Sequence, residues 1–302
     1  GAEIADGMVF FASDDGFLYA LAAQSGVEIW RLDLGDSDVA RFLPATDPPN
    51  EYDYLHSSPV HHEGTIYLGS ADGALYAVAR ETGQETWRFE TGGSIRSTPI
   101  VNGQNVLFAS RDGHVYAVTV ASGDLVWQHD TGGVVQGSPA VGAGKVFVGS
   151  RSAAVLALDA GTGEEVWKHV HEDGSWVESS PVFRDGTVYI GSSDALQLFA
   201  LDAESGQTIW NFSTGGWSWS TPLVGDDVVY IGGLSASPYY FEGVTLRAGF
   251  FAVDRKSGDS LWEFTPQPID GYITGGVFST PALVDGVVYV GALDGRLYAF
   301  EE

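Results

Sequence analysis

The chain has 302 residues, with 40 acidic against 14 basic side chains, 40 glycines and no cysteine, for a formal net charge of -26. A content of 44% hydrophobic and 13% aromatic residues is enough to bury a core, so intrinsic disorder is excluded. The charge opposes a nucleic-acid partner, which needs a basic stripe; no apolar run approaches the roughly 18 to 20 residues of a membrane span; and without cysteine there is no disulfide or thiolate zinc site.

The opening GAEIADGMVF has no basic, apolar-cored leader, so any export signal would lie outside these residues. Its alignment with TPALVDGVVY at 280–289 makes 1–5 an inner strand. A second and third strand follow at 9–21, and the same pair recurs at 66–78, 106–118, 146–158, 188–201, 229–253 and 288–300, seven times in all. Trp30, Trp87, Trp127, Trp167, Trp210 and Trp262 close equivalent units at spacings of 57, 40, 40, 43 and 52. Between them one pattern repeats: Ser/Thr-Pro, an apolar stretch, a turn, residues like Val-Tyr-Ile-Gly-Ser, a turn, residues like Leu-Tyr-Ala-Leu-Asp, Thr/Ser-Gly, tryptophan.

These segments are short, rich in Val, Tyr, Phe and Ile, and bounded by Gly, Asp or Asn, which is strand and turn chemistry. Four strands in about 40 residues make one propeller blade. The predicted fold is therefore all-β: a single seven-bladed β-propeller domain over 1–302, of four-stranded antiparallel blades at about 1–34, 57–91, 97–131, 137–170, 179–213, 220–264 and 279–302. The last blade stops before an outer strand with its tryptophan. Its open edge calls for a strand from an upstream segment or a neighbouring subunit, or else for protection by charge from Glu301 and Glu302.

The run Gly69-Ser70-Ala71-Asp72-Gly73-Ala74-Leu75-Tyr76-Ala77-Val78, continuing through Thr82-Gly83 to Trp87, resembles the PQQ-type β-propeller repeat family, and the resemblance spans essentially the whole chain. The family includes quinone-dependent alcohol dehydrogenases, the BamB lipoprotein that scaffolds outer-membrane protein assembly, and surface proteins, so it implies a fold more firmly than a function. A quinone enzyme of this family implies PQQ with calcium, an aspartate base and commonly a vicinal cysteine pair on eight blades; this sequence has seven units and no cysteine. WD-repeat propellers fit less well, because the six tryptophans are followed by Arg, Arg, Gln, Lys, Asn and Glu.

Within the repeat a structural reading suffices. The blade tryptophans are expected to stack between blades, each with its N–H on a backbone carbonyl. Asp72, Asp112 and Asp294 precede glycines in tight turns and need no metal. His129 and His169 stand where other blades have Leu32, Phe89, Phe212 and Phe264, and read as packing residues. No metal site and no catalytic residue is expected.

Alternate turns of an up-and-down blade fall on opposite faces. One set is monotonous; the insertions at 35–56, 171–178, 233–249 and 265–278 all fall on the other, where function is usually placed. Trp176, Trp217 and Trp219 stand outside the repeat on that face, with Tyr52, Tyr54, Tyr239, Tyr240, Phe241, Tyr272 and Phe278. They form either an exposed recognition surface or loops that bury their own rings.

A sharper signal lies in LHSSP, IRSTP, VQGSP, VESSP, SWSTP and VFSTP, where the second residue opens each inner strand and reads His56, Arg96, Gln136, Glu178, Trp219 and Phe278. The mouth of the channel is thus expected to be polar over blades 2 to 5 and aromatic over blades 6 and 7. Arg111 and Arg151 fall near Arg96 and could join it on a carboxylate by forked hydrogen bonds, or pair with a nearby acid such as Asp112.

The sequence therefore reads as a non-catalytic binding or scaffold propeller, exported to a periplasmic, extracellular or cell-surface location, that recognises a protein, peptide or glycan through an aromatic-rich loop face. The alternative is a PQQ-dependent dehydrogenase-like quinoprotein with Trp219 stacking, Glu178 as ion ligand and Arg96 as carboxylate clamp. The lysine-poor acidity, with only Lys145, Lys168 and Lys256, suits either a halophilic surface screened by brine or an ordinary secreted protein.

Overall fold

Consecutive strands pair edge to edge wherever the turn between them is short, and every repeat has such turns. In the computed structural model, which describes residues 1–13, 15–35, 57–239 and 243–301, blade 2 shows the plan. Its inner strand Val60–His62, second strand Thr65–Gly69, third strand Ala74–Ala79 and outer strand Glu85–Glu90 form an antiparallel meander. Blade 1 begins with the inner strand Ala2–Ala5. Seven such sheets occur among the described residues; the seventh holds only Ala282–Val284, Val287–Gly291 and Leu297–Glu301.

Because side chains alternate along a strand, each of blades 2 to 6 sends one apolar set to the preceding blade and the other to the next. In blade 2, Ile66, Leu68, Tyr76 and Val78 pack on Phe10, Leu18 and Trp30 of blade 1. Tyr67, Leu75 and Ala77 pack instead on Val106, Phe108 and Val118 of blade 3. The core is thus a series of slabs between blades.

Each tryptophan sits opposite a small residue, as in Ala77↔Trp87 and Ala117↔Trp127, and the register slips by one residue immediately beyond the pair. The ring then leans across to the next blade. Trp30, Trp87, Trp127, Trp167 and Trp210 donate Nε1–H to the carbonyls of Arg80, Val120, Ala160, Ala203 and Arg255 at 2.8 to 3.2 Å. They cover Gly83, Gly123, Gly163, Gly206 and Gly258, where a Cβ would meet the ring at 2.5 to 2.8 Å and where φ is positive. Only glycine satisfies both conditions.

The turn aspartates act as expected. Asp72, Asp112 and Asp294 each accept the backbone N–H two residues on, and each also takes a tyrosine hydroxyl, from Tyr76, Tyr116 and Tyr298, at 2.6 to 2.7 Å.

Candidate functional site: the channel mouth

The Ser/Thr-Pro frame builds the mouth. Proline has no N–H, and the residues just before it lie outside the inner-strand ladder, so their polar groups bond sideways to neighbouring blades. The amides of Ser58, Thr98 and Ser138 donate to the hydroxyls of Thr98, Ser138 and Ser180 at 3.3, 2.8 and 2.8 Å, each one blade further on. One residue earlier, Ser57 and Ser179 donate to the carbonyls of Ser97 and Ser220 at 2.9 and 2.8 Å. Serines at this place also accept from the end of their own second strand, as Gly69 to Ser57, Gly232 to Ser220 and Gly291 to Ser279 show. Blade 4 has Gly137 there, since a Cβ would stand 2.7 Å from the Ser179 carbonyl oxygen.

This belt leaves the preceding side chain to face the channel. Arg96, Gln136, Glu178, Trp219 and Phe278 line one cavity of about 150 Å³, with the hydroxyls of Thr98, Ser138, Ser180, Thr221 and Thr280 around it. One wall is polar and the other aromatic. His56, at the corresponding place in blade 2, lies outside the described residues, as do Tyr52, Tyr54, Tyr240 and Phe241.

Glu178 is buried, and its Oε1 receives Arg151 Nε at 2.6 Å and Nη2 at 2.5 Å. Burial pushes its carboxyl above the ordinary carboxylate range, while Arg151, Gln136 and Arg111 pull the other way. Arg151 also lies 4.4 Å from the Trp176 ring centroid, a cation–π contact that holds its fork in place. The acid that engages Arg151 is thus Glu178 and not Asp112. Asp112 is occupied by Tyr116 and by the amides of Gly92 and His114. The three arginines are therefore not one clamp: Arg96 lines the cavity, while Arg151 and Arg111 act on Glu178.

The loop aromatics require a correction. Trp217 is 0% exposed and Trp219 8%, stacked at 4.7 Å with an interplanar angle of 7°. Their indole N–H groups go to Asp194 Oδ1 at 3.0 Å and Ser193 Oγ at 3.2 Å. The cause is a pairing between the insertion within blade 6 and the one that links it to blade 7. The second strand runs on as Val228–Ala236 and takes up a fifth strand, Ile273–Gly276, through Leu234↔Gly276 and Ala236↔Ile273, while Trp217 bridges Leu234. Tyr239 hydrogen-bonds Asp194 at 3.0 Å, and Tyr239, Tyr272 and Phe278 pack against the same cluster. Trp217 belongs to the core of this platform, and Trp219 meets the channel as a wall.

The sequence reading missed a second cavity, of about 460 Å³, between blades 4 and 5, lined in part by His169, His171, Gln197 and Asn211. His171 occupies the place of Thr91, Thr131 and Thr214, whose hydroxyls bond carbonyls of the adjacent turns. Its ring lies 4.8 Å from Phe199, and burial, with His169 nearby, lowers its pKa to about 4. The departure from threonine at this place was the available signal.

Meanders set around a mouth of this kind define a seven-bladed β-propeller. The family model described as outer membrane protein assembly factor BamB matches residues 14–170 and 111–302, and the chain belongs to that family of PQQ-type propeller repeats. Among solved structures the chain is similar to BamB from Moraxella catarrhalis, at 20% identity over 100% of this chain and 84% of that one, with a TM-score of 0.72. It is also similar to the computationally designed Ika8 protein, at 17% identity over 100% of this chain and 82% of that one, with a TM-score of 0.73. No curated sequence matches it.

Proposed function

We propose that this is a non-catalytic binding propeller, working outside the cytoplasm, that admits a carboxylate of a protein or peptide partner into the channel mouth. The observation that carries the reading is the convergence of one individually chosen side chain from each of five consecutive repeats on a single cavity, above a belt that scarcely varies. Arg96 and Gln136 bring N–H-bearing side chains to the lining, and hydroxyl-bearing residues surround them. Glu178 is held by Arg151, and Arg96 brings a guanidinium to the cavity lining within a strongly acidic protein. Trp219 and Phe278 accept the apolar stem that carries the carboxylate. Scaffolding of the kind named for the BamB family agrees with this, since a rigid mouth presenting one specific pocket is a docking device. The acidic, cysteine-free surface agrees with an exported protein of a saline habitat.

The described residues favour this reading over the quinone alternative. A cavity of about 150 Å³ is smaller than the roughly 300 to 1,000 Å³ that drug-sized ligands need. One face of Trp219 is covered by Trp217, and Glu178, drawn above as the ion ligand, is engaged by Arg151. Among the described residues no group of three or more His, Asp or Glu side chains could hold a metal ion.

The test is calorimetric titration with short peptides bearing a Glu or Asp side chain, against their Gln and Asn counterparts. The acidic peptides are expected to bind about tenfold tighter, a difference of about 1.4 kcal/mol, and Arg96→Ala to abolish that preference. Equal binding of acid and amide, or a preference that survives Arg96→Ala, rejects the carboxylate reading.

A further inference from the structure

Four facing positions depart from the repeat together in the groove between blades 4 and 5. In blades 1, 2 and 3 the third strand carries Tyr19, Tyr76 and Tyr116, each with its hydroxyl on a turn aspartate, and the outer-strand residue opposite is Arg31, Arg88 or Gln128. Blade 5 sets Phe199 opposite Asn211, so the hydroxyl is gone and the facing side chain is short. Gln197 stands where blades 2 and 4 have Ala74 and Ala154, each directly before the residue paired with Gly191, Gly69 or Gly149. From blade 4, His171 replaces the threonine that in blades 2 and 3 bonds the carbonyls of Gly73 and Gly93, or of Gly113 and Gly133.

These exchanges open the cavity and line it with polar atoms that the fold does not use. His171 is 6% exposed, yet neither of its ring nitrogens has a hydrogen-bond partner among the described residues, and the buried Oε1 of Gln197 has none either. His169 Nδ1 lies 3.0 Å from the Gly206 carbonyl, which only accepts, so in the neutral ring Nε2 is left as an acceptor. Burial takes water from such groups, and a ligand that pairs with them restores the lost bonds.

The lining restricts what that ligand is. Among the described residues no lysine or arginine lines the cavity, while Glu172 and Asp173 stand at its exposed rim, so an anion is repelled. The neutral imidazole of His171, the amides of Gln197 and Asn211 and the hydroxyl of Thr208 each donate and accept, which is the complement of a ligand whose hydroxyls also do both. Val170, Ala195 and Phe199 add apolar surface for the C–H face of a ring. The volume of about 460 Å³ falls within the roughly 300 to 1,000 Å³ of small-molecule sites.

We infer that the groove between blades 4 and 5 is a saccharide site, in which a neutral mono- or disaccharide hydrogen-bonds His171, Gln197 and Asn211 and its outer hydroxyls donate to Glu172 and Asp173. It shares no residue with the channel mouth, so either site can fail alone.

The test titrates the 302-residue chain at neutral pH with glucose, galactose, mannose, N-acetylglucosamine, maltose and cellobiose, by calorimetry and by NMR of the histidine rings. Saturable binding of at least one sugar is expected, with the His171 ring signals moving in step. His171→Thr should weaken it tenfold or more. So should Asn211→Arg, which gives blade 5 the residue of blades 1 and 2 at an exposed place and should leave both the melting temperature and acidic-peptide binding at the mouth unchanged. The inference is overturned if none of the six sugars binds saturably, if binding leaves the His171 signals in place, or if Asn211→Arg does not diminish it. Choline or spermidine binding more tightly than every sugar also overturns it, in favour of a cation site on Glu172 and Asp173.

Discussion

Two regions of this protein use large side chains in opposite ways. Between blades the same tryptophan meets the same glycine and the same carbonyl five times, while at the channel mouth no two neighbouring blades offer the same side chain. The contrast shows where each kind of information resides. Stability comes from a contact repeated without change, and specificity from a position that the repeated contacts do not touch.

The largest expected effect breaks the repeated half. Trp127→Ala removes a buried ring and its bond to Ala160, and should cost about 4 kcal/mol in chemical denaturation, with carboxylate binding unchanged below the transition. Next comes Trp217→Ala, which separates a platform core from a recognition surface. A loss of about 3 kcal/mol with little change in affinity follows from its burial, whereas lost affinity at unchanged stability would return it to the surface.

The third prediction sharpens the contrast through His171, the one departure from threonine among the matching positions of blades 2 to 5. Its folded pKa of about 4 lies below the ordinary 6.5, so the folded state binds fewer protons and stability should fall as pH drops from 6.5 to 4, then level off. The total is on the order of 3 kcal/mol. Of its charged neighbours, His169 deepens the shift and Asp173 tempers it. In His171→Thr the slope over this range should flatten, as read from melting temperature against pH.

The fold was legible because every element is announced several times: Trp87 and Trp127 need no separate argument once Trp30 is understood. The mouth was legible for the same reason, since an unchanging Ser/Thr-Pro frame makes Arg96, Gln136, Glu178, Trp219 and Phe278 stand out by difference. Trp217 was misjudged because a residue outside the repeat has no sister to show which way it points. Its burial depends on Leu234 pairing with Gly276, a contact between insertions far apart in the chain that leaves no periodic trace. The engagement of Arg151 by Glu178 was invisible on similar grounds: both residues lie near the mouth, and only the folded geometry decides which acid meets which base.

The hydroxyl belt has one more consequence. Because Ser58, Thr98, Ser138 and Ser180 link adjacent blades through groups that exclude the preceding side chain, codons such as those of Arg96 and Gln136 could be rewritten while the internal tie-rods between blades stay bolted. Evolution, or an engineer, can thus retune the receptor like changing the pins in a lock cylinder, without recasting the barrel.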